Sequence, residues 1–331
     1  MNRDRIDLDS RFGKMAGALF FLFCALCGAG AVPIFLRYLL KPPESGGLGL
    51  DIWILNAFRY SLAPLFWLPF VIKDRLKRKT SGADPSDAIF KKPRASIWIA
   101  AITPAAFSIV NQACWGAVGK YADANIIAFF SKLAFPVTVL YCFFLFPEER
   151  QLTRTRLFRL GGAGCIVGLS LLSTESFLAS HAGGTSLFGV LLLLFIAVTW
   201  GGYSVNIRLK MSQFSSVASF WVISIYTTAG LVVLMLLFGD FSNFRIMDLQ
   251  TWAVVIASSF IGITFWHVIY YRAIRGLGTL VSDGVLMTSP FLTALGAAFF
   301  LGESLTALQA VGGSVLAAGG VLLVIARGRH T

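Results

Sequence analysis

Four ionisable side chains stand inside stretches otherwise too apolar to hold them: Arg59, Lys132, His267 and Asp283. A charge at that depth costs about 2.5–3.5 kcal/mol on insertion scales, so such a residue faces a cavity or a partner. Lys132 suits a carboxylate or phosphate, with outward snorkelling as its structural alternative. Asp283 suits an ammonium or a coupling proton; its alternative is to cap its helix or meet Arg272 or Arg275. His267 reads as a bonded interior histidine before a proton carrier, and Arg59 reads as structural. A second pattern is a stripe. Ser108, Asn111 and Trp115 follow helical spacing, and a shift of 156 lands them on Thr264, His267 and Tyr271. Gln112 lies beside the first stripe, and Trp200, Tyr203 and Asn206 form a third polar-aromatic set. Such groups bond across helices or line a wet path.

The elements that carry these residues follow from composition. The chain has 331 residues, 56% of them hydrophobic and only 13% charged. Soluble domains are about a quarter charged. The reading is an all-α polytopic membrane protein. Apolar runs near 15–40, 51–72, 95–118, 124–146, 157–173, 186–207, 217–238, 249–273, 278–301 and 307–326 predict ten transmembrane helices. Residues 1–14 and 327–331 read as cytoplasmic tails, 73–94 as a basic cytoplasmic loop and 174–185 as an external linker. With both termini inside, cytoplasmic segments hold 22 Lys and Arg against four outside, so the net charge of +12 reads as an orientation signal and no nucleic acid is implied. The five cysteines all lie in apolar stretches, so neither a disulfide framework nor a metal site is expected.

The sequence repeats itself. A shift of 172 carries Gly17, Leu22, Phe23, Ala25 and Gly30 onto Gly189, Leu194, Phe195, Ala197 and Gly202. A shift of 154 carries Pro136 and Glu149 onto Pro290 and Glu303, and one of 151 carries Gly161, Gly162 and Gly168 onto Gly312, Gly313 and Gly319. Residues 15–173 and 186–326 thus read as two five-helix copies. Five is odd, so the copies insert in opposite orientation, a 5+5 inverted-topology repeat with N-in/C-in termini. That is a signature of alternating-access transport around a site near the midplane. Lys132 with Pro136, and Asp283 with Pro290, fall on the faces that the repeat relates. Lys132 comes roughly 12 Å below the outer surface and Asp283 roughly 8 Å above the inner one, about 10 Å apart in depth. That is too far for a tight pair. Pro136 and Pro290 are the candidate hinges of a gate.

The stretches FPVTVLYCFFLFPEE and SPFLTALGAAFFLGESLTALQAVGGSVLAAGGVLL, with Arg59 in NAFRYS, resemble the EamA-type family of the drug/metabolite transporter superfamily. The first stretch has PEE where the family usually has GE. The resemblance spans residues 15–326 and implies ten helices, a central cavity and transport, often export, of small metabolites such as amino acids.

Signatures of zinc proteases, serine hydrolases and ATP-driven pumps (HExxH, GxSxG, GxxxxGK[ST]) are absent, and no cofactor is implied. The expectation is a secondary-active transporter in the inner or plasma membrane that exports a small carboxylate-bearing metabolite, an amino acid above all. It is not an enzyme. Lys132 would neutralise the carboxylate. Asn111, Gln112, Trp115, Trp200, Tyr203, His267 and Tyr271 would shape the pocket, and Asp283 would take an ammonium or a proton. Efflux of organic cations is the alternative, weakened by a first helix without an acidic residue. An intramembrane enzyme or scramblase is remote. The Gly-rich fifth and tenth helices offer a possible homodimer contact, although packing within the fold explains them first.

Overall fold

The computed structural model describes residues 2–41, 43–81, 96–118, 121–122, 127, 130–179, 186–245, 247–301 and 305–329. Helix is the only regular structure among them. The long helices are α1 (Asn2–Leu40), α2 (Ile52–Ser81), α3 (Ile97–Val118), α5 (Arg156–Ala179), α6 (Leu187–Met211), α7 (Ser216–Phe238), α8 (Leu249–Leu277) and α10 (Ala307–Gly328). Between α3 and α5 lies α4 (Ala134–Leu145), entered through a 3-10 turn at Ser131–Leu133. Between α8 and α10, α9 comes in two pieces, Thr279–Leu286 and Ser289–Leu301.

Nine described helices are long and apolar enough to cross a membrane, and Ser131–Leu145 adds a shorter apolar one. The first part of the predicted fourth span, most of the 73–94 loop and Glu303 lie outside the described residues. Three helices outrun their apolar cores. The backbone of α1 is already helical at Asn2, α2 continues to Ser81, and α5 continues to Ala179, into the predicted external linker.

Local chemistry starts several helices. The side chains of Ser186, Ser215 and Asp248 accept backbone N–H bonds from Gly189, Ala218 and Thr251, and Thr306 with Gln309 completes a capping box on α10. Each satisfies a donor that the first helical turn leaves open. Large apolar side chains point outward along the bundle, among them Phe20, Leu65, Phe144, Leu187, Leu237 and Phe299. On a water-soluble domain that surface would be a liability, whereas acyl chains solvate it.

Helix ends sort to two faces. At one face Met15 lies against Gly328, Glu149 meets Arg208 and the start of α9, and Arg275 reaches the Met211 carbonyl. At the other, Ser186 N donates to Tyr121 O, Leu50 N donates to Leu39 O, and the Trp53 and Phe238 rings meet at 5.4 Å. The start of the apolar part of α1, at Met15, and the end of α10 therefore share a face. The packing partners form a pattern: α1 lies on α8 and α9, α6 on α3 and α4, α3 on α7, α8 on α2, α2 on α7 and α5 on α10. These eight pairs are unchanged when helices five apart in order are exchanged, whereas the packing of α9 on α10 has no counterpart of that extent among the described residues.

The tightest seam joins α5 to α10 through glycine. A Cβ added at Gly319 would stand 2.7 Å from Cys165 N and 2.8 Å from Gly161 O, and one at Gly161 would stand 2.9 Å from Gly319 O. The neighbours are backbone and cannot yield. Gly319→Val is expected to cost about 1–3 kcal/mol, seen as a lower melting temperature in detergent. Ser314→Val, on the exposed face of the same helix, should leave melting unchanged.

Candidate functional site

Proline builds the centre of the site. A proline inside a helix cannot donate to the carbonyl four residues back, and its ring crowds that carbonyl. Four residues before Pro290 is Leu286, where the first piece of α9 ends; Thr288 N then bonds Val285 O and Phe291 N bonds Thr288 O, both three residues back. Four residues before Pro136 is Lys132, the middle of the 3-10 turn ahead of α4. The two prolines correspond under the repeat, and so do the two irregular turns.

Lys132 spans the two turns. Its Nζ donates to Ser289 Oγ at 3.0 Å, on the first residue of the second piece of α9. That hydroxyl is the one polar partner of its ammonium among the described residues, and it carries no charge. The outward snorkel considered for Lys132 is not its conformation.

Asp283, buried in the first piece of α9, is held by hydroxyls alone. Thr138 of α4 donates to Oδ2 at 2.8 Å, and the Tyr270 hydroxyl of α8 donates to Oδ1. Tyr270 also exchanges a 2.8 Å hydrogen bond with Ser204 of α6. Neither Arg272 nor Arg275 forms an ion pair with Asp283, and Asp283 does not cap its helix. Glu149 does that, accepting from Leu280 N at 3.1 Å. A cation and a carboxylate thus both sit between α4 and α9 with neutral partners. Their α9 contacts, Ser289 and Asp283, are six residues apart, roughly 9 Å along the axis.

An aromatic group adjoins Asp283 through Tyr270. The Trp200 ring lies 5.6 Å from Tyr203, 5.9 Å from Trp266 and 6.2 Å from Tyr270, the last stacked. The Tyr203 and Tyr271 hydroxyls are hydrogen-bonded. His267 stacks on Phe220 at 4.7 Å, and its Nδ1 lies 2.9 Å from Ile263 O. The ring is buried and bonded within its own helix. Trp266 Nε1 donates to Ala25 O at 2.7 Å, tying the cluster to α1.

The structure brings Trp200, Tyr203, His267 and Tyr271 together, and sets Lys132 and Asp283 on one helix interface beside them. It leaves three expected pocket residues apart. Asn111 spends its amide on Ile196 O and Thr199 Oγ1, at 3.0 and 2.9 Å, so it bonds across helices. Gln112 bridges the Tyr60 hydroxyl and Asn56 on α2. Trp115 packs with Cys114, Phe130 and Leu192 in a separate apolar cluster. Arg59 donates to Ser258 O at 3.4 Å, beside the π-helical turn Phe260–Thr264 of α8. Sequence reasoning missed Tyr270, Thr138, Ser204 and Ser289. They are ordinary hydroxyls whose part depends on which helix faces them. It also missed the ion pair of Arg208 with Glu148, at 2.7 Å, and with Glu149.

This is a polar seam between two sets of helices, each broken by proline at one register. Residues 187–326 match the model of the EamA-like transporter family. The EamA-like segment supplies Trp200, Tyr203, Ser204, His267, Tyr270, Asp283 and Ser289. Lys132 and Thr138 come from the residues before it, so the site lies where the EamA-like helices meet the earlier ones. Over its length the chain also has the fold of a solved crystal structure, with a TM-score of 0.71 at 15% sequence identity, covering 95% of this chain and 98% of the other. No curated protein matches it in sequence. The likeness to EamA-like transporters is carried by residues 187–326, under half of the chain.

Proposed function

We propose that the chain is a secondary-active transporter that exports a small carboxylate-bearing metabolite, an amino acid first among candidates, by alternating access from an inner or plasma membrane. The observation that carries the reading is Lys132: an interior ammonium, at the junction of two broken helices, whose protein partner is a neutral hydroxyl. A carboxylate completes that site; a neutral solute does not. The Trp200–Tyr203–Tyr271–His267 cluster shapes the apolar side, and Asp283 takes a proton or a second, cationic end of the solute. An α-amino acid carries both charges on one carbon, so it reaches Lys132 and Asp283 together only when the halves close.

We read the topology as ten crossings in a 5+5 inverted repeat with both termini inside, and the protein as a carrier with no enzymatic step. The exchange-symmetric packing and the shared face of the two chain ends support this. Pro136 and Pro290 are the hinges, Arg59 is a structural clamp on α8, and Asn111, Gln112 and Trp115 support the pocket from outside it. A homodimer through α5 and α10 would use their outward faces, since their glycines meet each other. The test is uptake or counterflow in proteoliposomes over a panel of carboxylates, zwitterions and neutral analogues. Rates that ignore the carboxylate would overturn the reading.

One observation favours a second reading, efflux of organic cations. Aromatic faces beside a carboxylate suit a cation, and Tyr270 joins that cluster to Asp283. Asp283→Asn keeps the hydrogen-bonding shape and removes the charge. Under this reading it lowers cation resistance of expressing cells on the order of 10-fold, the worth of about 1.4 kcal/mol. Under the carboxylate reading it spares Lys132-dependent binding and alters the pH response.

A further inference from the structure

The face that gathers the Arg208, Arg275 and Arg327 side chains holds a cavity of about 340 Å³, far from Lys132. Arg208 and Ser212 at the end of α6, Arg275 and Gly278 at the end of α8, and Arg327 at the end of α10 line it. Three arginines line it, and no carboxylate is among its described lining residues. Arg208 is partly neutralised by Glu148 and by Glu149, which also abuts the lining residue Gly278. Arg275 is not: it donates to Met211 O at 3.1 Å and to Ser219 Oγ at 3.4 Å, both neutral acceptors. Ser212 adds a hydroxyl at the exposed rim.

We propose that this pocket binds a phosphate-bearing anion, independently of the transport site. Guanidiniums approaching from three helices match the several oxygens of a tetrahedral phosphoryl group better than the two oxygens of one carboxylate. The volume exceeds what a lone carboxylate fills. The pocket lies at the ends of membrane helices, the depth of lipid headgroups, where basic pockets between helices take anionic lipids. A soluble phosphate from the adjoining aqueous phase has the same chemistry.

The full chain is purified into nanodiscs of phosphatidylcholine with or without phosphatidylglycerol, and retained lipid is counted by native mass spectrometry. A parallel arm measures melting in phosphatidylcholine alone, with millimolar inorganic phosphate against chloride at equal ionic strength. The variants are Arg275→Gln with Arg327→Gln, and Lys210→Gln as an exposed control outside the cavity. Retention of phosphatidylglycerol by wild type and Lys210→Gln, weakened ~10-fold or more in the double variant, identifies a lipid headgroup. Stabilisation by phosphate that the double variant loses identifies a soluble anion. If neither phosphatidylglycerol nor phosphate separates wild type from a double variant that melts normally, the proposal is wrong. Should the double variant fail to fold, Arg275→Gln against the charge-keeping Arg275→Lys makes the same comparison, and equal binding by these two overturns it.

Discussion

If the proposed carboxylate transport holds, Lys132→Ala is expected to abolish it while leaving the protein folded. The part-buried ammonium has Ser289 as its one polar partner among the described residues, and carrying it into the membrane is a cost that no counter-charge among them offsets. Removing it relieves that cost, so melting should hold or rise slightly. Function moves the other way. Truncating one partner of a buried charge pair costs about 2–5 kcal/mol, so binding should fall on the order of 100-fold, read as lost counterflow in proteoliposomes. Ser289→Ala keeps the charge and should cost far less. Wild-type transport by folded Lys132→Ala would remove the carboxylate role, whatever happens at Asp283.

The second large effect is on stability. Glu149 is fully buried and meets Arg208, while its other oxygen caps the start of α9. Arg208→Met strands that carboxylate. Breaking a buried pair from one side costs about 3–5 kcal/mol, which should appear as a much lower midpoint in thermal or SDS unfolding. Glu149→Gln leaves an oxygen to accept from Leu280 N and leaves Arg208 its contact with Glu148, so it should cost less. The double variant should recover part of the Arg208→Met loss, because the stranded charge is gone. Additive losses would mean that the pair carries no coupling. Gly278 belongs to the same latch: its φ of +86° suits glycine, and a Cβ there would run into Glu149.

Most of the architecture was legible in residue types. Apolar runs marked the helices, and Pro136 and Pro290, matched by the repeat, marked two breaks later found at one register. Ionisable residues in apolar stretches pointed to Lys132 and Asp283 at one helix interface. What stayed hidden depends on which helix faces which. Tyr270, Thr138, Ser204 and Ser289 are common hydroxyls until α4, α6, α8 and α9 meet. Asn111 looked like a pocket amide because its stripe is shared with His267, yet Ile196 O and Thr199 Oγ1 accept from it. Glu149 entered the sequence reading only as the repeat partner of Glu303. Its burial follows from the approach of Arg208 and Leu280, 59 and 131 residues away in the chain.

The glycine contact of α5 with α10 constrains any motion. These helices come from opposite halves of the chain, yet their backbones come into close contact at Gly161, Gly168, Gly312 and Gly319. Under the alternating-access mechanism proposed above, opening would swing about that line like a book about its spine, with the widest travel at helices far from it. Spin labels bridging α5 and α10 would then report a fixed separation through the whole cycle, and labels on α1 and α6 would report the stroke.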